Sequence, residues 1–166
     1  MKTLGIDPGK TGAVAVYDAV ARDFIFYDWP DSSKEMADAI FNESTGISFC
    51  VIERIISMPL TDKAGNTIRS ARGEGSIREN FGWYIGILEV LDIPFQSMTP
   101  AQWRKDIIMR HPSNKRVKED TKLINLETFS RLFPKEADKV RGPRGGLKDG
   151  RVDAGLMAYK ASKIRG

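Results

Sequence analysis

The stretch KTLGIDPGKTGAVAVYDAVARDFIFYDW, residues 2–29, decides the fold. It holds three apolar or β-branched runs, Lys2–Asp7, Gly12–Asp18 and Phe24–Trp29, parted by turn signals at Pro8-Gly9 and Ala21-Arg22-Asp23. Short runs joined by tight turns predict an antiparallel meander. Outward from it, Asp31-Ser32-Ser33 offers a cap for a short helix over Lys34–Phe41. Ile47–Ile56 is apolar, broken only by Ser48 and by Glu53-Arg54, and reads as a buried strand. Residues 57–76 are polar and Gly-containing, carry Lys63, Arg69 and Arg72, and read as a long loop of functional character. A helix over Ile77–Leu91, a strand over Phe95–Met98, and a helix capped by Thr99 with Pro100 in its first turn come next. Val117–Leu132 reads as a further helix, stopped by Phe133-Pro134. A basic Gly/Pro stretch, Val140–Lys148, leads into a last helix from Asp149 to about Ile164. The order β-β-β-α-β-α-β-α-α-α predicts one mixed α/β domain without an internal linker.

The whole chain of 166 residues and 18.6 kDa is the size of one domain. A single cysteine, Cys50, rules out an internal disulfide and points to a reducing compartment. No apolar run reaches the length of a membrane span, and MKTLGIDPG does not have the pattern of a signal peptide. One histidine, His111, argues against His-based metal clusters and His-centred triads. The net charge of +4 hides an asymmetry. Residues 1–53 carry four Lys/Arg against nine Asp/Glu, whereas residues 54–166 carry 22 against 13. An acidic first third beside a basic remainder suits an acidic centre next to a nucleic-acid surface.

The informative residues are acids at positions where apolar ones are expected. Asp7 ends the first strand and Glu53 interrupts the run from Phe49 to Ile56. A buried unpaired charge is costly, so each needs a partner, a metal or a strand-end position. Asp7 has an ordinary role open to it as a turn-forming residue beside Pro8, and Glu53 as the partner of a nearby arginine. On the last helix, Asp149 and Asp153 point about 40° apart at 100° per residue. They share the side that carries Val152, Leu156, Met157, Ala161 and Ile164, and so are expected to face the sheet. Capping and helix-dipole complementation are the ordinary alternatives, stronger for Asp149 than for Asp153. Four carboxylates from two strands and one helix suit Mg²⁺ or Mn²⁺. Two such ions per site can activate a water and stabilise the leaving oxygen of a phosphodiester.

Gly5-Ile6-Asp7-Pro8-Gly9, Val51-Ile52-Glu53 and Asp149-Gly150-Arg151-Val152-Asp153-Ala154 resemble segments of the RuvC-like Holliday junction resolvases, of the phage and prophage type. Phe81-Gly82 through Gly86, Thr99–Lys105 and Leu132-Phe133-Pro134 resemble further segments in the same order, so the similarity spans nearly the whole chain. The resemblance implies an RNase H-like fold, a mixed five-stranded sheet flanked by helices. It implies a homodimeric endonuclease that makes paired nicks in four-way DNA junctions with Mg²⁺ or Mn²⁺, in the cytoplasm of a bacterial or phage-infected cell. Asp7, Glu53, Asp149 and Asp153 map onto the family's metal-binding acids. Cellular members carry a His or Asp three residues before the last acid. Here that position is Gly150 and the acid lies four before, at Asp149. The family's lysine near the scissile phosphate maps first to Lys118, with Lys115 or Lys122 as alternatives.

The helix FGWYIGILEVL, Phe81–Leu91, has one charge and must be covered on more than one side. One cover is the sheet; the other is a second subunit, or the terminal helix of the same chain. Arg69, Arg72, Arg78, Arg104, Lys105, Arg110, Lys115, Arg116 and Lys122 are candidate phosphate contacts. Trp29, Trp103 and Cys50 read as core or partly buried residues. The rival readings are an RNase H-like nuclease of flaps or other branched nucleic acid, a silent junction-binding module, and an actin-type nucleotide-binding domain. The last would need a second phosphate loop that this length does not provide.

Overall fold

The computed structural model describes residues 1–29, 32–55, 71–108 and 121–165. Strands β1 (Lys2–Asp7), β2 (Ala13–Asp18), β3 (Asp23–Asp28), β4 (Ile47–Glu53) and β5 (Phe95–Met98) form a single sheet in the order β3-β2-β1-β4-β5. The first three strands pair antiparallel as the expected meander; β4 joins β1 and β5 joins β4 in parallel. The helices are α1 (Ser33–Glu43), α2 (Ala71–Val90), α3 (Pro100–Arg104), α4 (Thr121–Leu132) and α5 (Asp149–Arg165). Ser32 caps α1 by accepting from the Glu35 N–H, and a reciprocal Thr99–Gln102 capping box starts α3. A 3₁₀ turn over Pro134–Val140 follows α4 and was not predicted. Its Glu136 carboxylate accepts from the Phe24 N–H at 3.0 Å and so fastens the turn to β3.

Side-chain alternation along the strands divides the interior in two. Leu4, Ile6, Cys50 and Ile52 face one side, where Met36 and Ile40 of α1 and Tyr84 and Leu88 of α2 cover them. Ala13, Ala15, Phe49 and Val51 face the other side, covered by α5, α4 and Trp103 of α3. By the same alternation, Asp7 follows Thr3 and Gly5, and Glu53 follows Phe49 and Val51, onto the α5 side. α5 lies close on β1: a Cβ on Gly5 would stand 2.0 Å from the Ala154 carbonyl oxygen. Only the absence of a side chain lets helix and strand approach that closely.

Three expectations need correction. Residues 71–76 belong to α2 rather than to a loop, because a helix continuing into the apolar Phe81–Leu91 segment carries its glycines with it; residues 56–70 lie outside the described residues. α2 is separated from α5 by the sheet, so the terminal helix does not cover it. α5 is buried around most of its circumference between sheet, α3 and α4, while Ile164 in its last turn is exposed. Among the described residues no helix is long and apolar enough to cross a membrane.

Candidate active site

Gly5 pairs with Val51 and Ile6 with Ile52, so Asp7 and Glu53 are the next pair along, at the carboxyl ends of two adjacent parallel strands. That end of an open α/β sheet is where ligands bind. Asp149 opens α5 and Asp153 lies one turn in. Gly150 fixes the height of that turn, since a Cβ there would stand 2.3 Å from the Thr11 carbonyl oxygen in the β1–β2 connection. The backbone positions of the four acids therefore lie in one region, where the β1–β2 turn, the end of β4 and the start of α5 adjoin.

Each acid is tethered by a donor of its own. Asp7 Oδ1 accepts from the Gly9 N–H at 3.0 Å, the turn-forming role open to it from sequence. Glu53 Oε2 accepts from the Trp103 indole N–H at 2.8 Å. Asp153 Oδ1 accepts from the Asn125 amide at 2.6 Å. Asp149 pairs with Lys122. No arginine ion pair holds Glu53 among the described residues; Arg104 acts on it only through its charge. No three Asp, Glu, His or Cys residues among those described stand at cation-holding spacing.

The electrostatics show that the group is nonetheless coupled. Burial pushes the Asp7 carboxyl up, the Gly9 N–H draws it down, and the Asp149 charge pushes it up again. Burial raises Glu53 against the Trp103 hydrogen bond, with Asp7 adding repulsion. Asp153 is pushed up to about 7 by burial, with the Asp7 and Glu53 charges pushing the same way and Asn125 and Arg104 drawing it down. Mutually repelling carboxylates with too little positive charge between them are a hard-oxygen donor set in want of a cation. One oxygen each of Asp7, Glu53 and Asp153 has no hydrogen-bond partner among the described residues, which leaves donors for one. In donor chemistry the four carboxylates suit a divalent ion, while at the spacing seen here no three of the described acids reach a common one.

Sequence reading placed Trp103 in the core, which is right, and missed that its N–H holds Glu53. The register explains the meeting: Glu53 pairs with Met98, and the Thr99 cap turns the chain so that Trp103 comes back over β4. Asn125, buried on α4, was missed as well; its Oδ1 has no partner among the described residues. The available signal was reciprocal: a buried indole and a buried acid both need a partner.

Of the predicted cations, Lys122 stands beside Asp149. Arg104 lies over the Trp103 ring, 4.7 Å from its centroid, close enough to lower both Glu53 and Asp153. Lys105 is exposed at the end of α3, and its carbonyl accepts from Lys160 at 2.9 Å. Arg78 is exposed on α2. Arg72 belongs to the backbone of α2, with its side chain outside those described. Arg69, Arg110, Lys115, Arg116 and Lys118 lie outside the described residues.

No family model matches the chain, and no curated protein matches it. Solved structures do match. A structure of Thermus thermophilus RuvC in complex with Holliday junction substrate is 14% identical with a TM-score of 0.58, over 96% of this chain and 91% of that one. A second Thermus thermophilus RuvC structure is 12% identical with a TM-score of 0.57, over 99% of this chain and 97% of that one. The chain thus shares the fold of these RuvC structures, as the resemblance implied.

Proposed function

We propose that the protein is a divalent-metal-dependent endonuclease of the RuvC kind, which resolves four-way DNA junctions by paired, symmetric phosphodiester hydrolysis. The observation that carries this reading is the electrostatically coupled group of Asp7, Glu53, Asp149 and Asp153 at the carboxyl end of a sheet with this fold. The junction in complex with the similarly folded Thermus thermophilus RuvC supports the choice of substrate. Mg²⁺ or Mn²⁺, two ions per site, would be held by these four acids, and when bound would supply an activated water and a counter-charge for the leaving oxygen.

The chain's own residues have distinct tasks. Trp103, Asn125 and the Gly9 N–H each fix one carboxylate oxygen and so aim the other. Lys118 is the residue we assign to the scissile phosphate. Lys115 and Lys122 are the alternatives, and Lys122 pairs with Asp149. Junction binding by phosphate contacts gives strong salt dependence and recognition by shape. Two copies of the chain would set one site on each of two opposed strands, as the two-fold symmetry of a four-way junction requires. The setting is the cytoplasm of a bacterial or phage-infected cell.

The test is cleavage of a mobile four-way junction by the purified protein in Mg²⁺, with nick positions mapped and the products religated. Symmetric, religatable nicks, abolished in Asp7→Asn and Glu53→Gln, are expected. Cleavage that is equal on linear duplex, or that survives both substitutions in full, overturns the reading. Preferential cleavage of flaps would favour the branched-nucleic-acid nuclease instead.

A further inference from the structure

Sequence reading treats Val140–Lys148 as a basic lead-in to α5 and gives it no role. In the fold it is a tight hairpin. The Lys148 N–H donates to the Val140 carbonyl at 2.9 Å, the Gly142 N–H to Gly146 at 2.7 Å, and the Gly145 N–H to Gly142 at 2.8 Å. Arg141 and Leu147 form an antiparallel bridge. Gly145 closes the turn at φ 77°, a conformation that L side chains adopt at a cost.

The root of the hairpin is pinned. Asp28 accepts from Arg151 Nε at 2.6 Å and Nη2 at 2.9 Å, and from Lys148 Nζ at 3.1 Å. Arg151 Nη1 also donates to the Lys139 carbonyl at 2.6 Å. A bidentate guanidinium–carboxylate pair fixes geometry as well as charge. It ties the hairpin to the first turn of α5, next to Asp149. Ala13 pairs with both Asp7 and Asp28, so Asp28 lies at the same end of the sheet as Asp7. Two strand spacings separate them, roughly 10 Å. The hairpin is thus a rigid arm beside the acids.

Its charges are divided. Asp28 pairs with both Lys148 and Arg151, and Glu136 pairs with Lys139. Arg141 and Arg144 are exposed and have no acidic partner among the described residues; Arg141 Nη1 reaches only the Gly145 carbonyl, at 3.4 Å. The neighbouring acids repel any polyanion, so a strand drawn to them needs cations fixed at its flank. We propose that the Arg141–Lys148 hairpin is a phosphate-gripping arm for the DNA strand that enters the acid group, with Arg141 and Arg144 as its contacts. The inference rests on the nuclease reading above and adds a binding element to it. Guanidinium contacts to phosphate supply affinity without reading sequence.

The test measures binding in EDTA, where the DNA stays intact, on a four-way junction and on linear duplex across a salt series. Wild type is compared with Arg141→Ala/Arg144→Ala, with Arg141→Lys/Arg144→Lys, and with Lys34→Ala on α1 across the sheet. The double alanine variant is expected to bind about ten-fold more weakly near 0.1 M salt, with the slope of log K against log salt shallower by about one to two. The lysine pair recovers most of both quantities, and Lys34→Ala changes neither. Wild-type affinity and slope in the double alanine variant overturn the arm and leave the nuclease reading standing. A loss that the lysine pair does not rescue also overturns it, by marking a structural role. A wild type without affinity for any DNA overturns the arm and the nuclease reading together.

Discussion

Asp153 is held where its charge is least welcome: buried, near Asp7 and Glu53, with a carboxyl pushed up to about 7. The unfolded chain releases that proton near the ordinary aspartate value, about 3.9. The folded state therefore binds more protons between these values. The stability this group contributes is whole below the unfolded value and is lost as pH rises through about 7. Asp7 and Glu53 are raised too and act with the same sign. In EDTA the protein is expected to melt at higher temperature at pH 5 than at pH 8, and Asp153→Asn to remove much of that difference, on the order of a few kcal/mol. A pH-independent melting temperature would show that the acids are not held in the buried, crowded setting described. Trp103 bears on the same chemistry through one hydrogen bond. Trp103→Phe keeps a ring in the core but leaves Glu53 Oε2 without its donor. Stability should fall by about 1–3 kcal/mol. The Glu53 titration, followed by carboxyl NMR in the metal-free protein, should move upward, because the indole N–H is what lowers it. An unmoved titration would reduce Trp103 to a packing residue.

At the scale of elements, the site depends on how low α5 sits on β1 and on the β1–β2 turn. Gly150 is pressed against backbone, with Thr11 O at 2.3 Å and Gly12 Cα at 2.8 Å from an added Cβ, and backbone cannot rotate aside. Gly150→Ala is expected to lift the first turn of α5, carrying Asp149 away from Asp7. The cost is about 1–3 kcal/mol in chemical denaturation, with a loss of cleavage larger than the loss of DNA binding. Equal losses of both would mean that the turn serves folding alone. Strands were legible in the sequence because β-branched alternation and the Pro8-Gly9 turn act locally. So was the start of α3, through Thr99 and Pro100. The acids were legible for the opposite reason: each breaks an apolar pattern. Their tethers were not, since Trp103 lies 50 residues from Glu53 and Asn125 lies 28 from Asp153. Such contacts arise from register and helix placement and leave no local trace. The first turns of α2 were hidden by Gly73 and Gly75, which read as loop until the apolar helix beyond them is given a place to pack.

For the whole molecule, the open question in the fold is the side of α2 turned away from the sheet. Between α1 and α2 runs an apolar groove of about 490 Å³, lined by Phe41, Gly82, Trp83, Gly86, Val90 and their neighbours. Phe41 is 62% exposed, Trp83 48% and Val90 85%, far more contiguous apolar surface than a helix needs for the packing it already has. An added Cβ on Gly82 or Gly86 would meet nothing within 4 Å, so nothing described in the monomer calls for glycine in mid-helix, where it costs about 0.5–1 kcal/mol. Close approach of a second copy would account for both glycines and both aromatics. The proposed paired incision needs that copy, because one chain holds one group of acids. Wild-type protein is accordingly expected to sediment as a dimer at micromolar concentration. Phe41→Glu/Trp83→Glu, two changes at sites exposed within one chain, should sediment as a folded monomer. On the junction that variant should give single nicks in place of coupled symmetric pairs. A wild type that sediments as a monomer, or a variant that keeps coupled incision, would remove this face from the dimer.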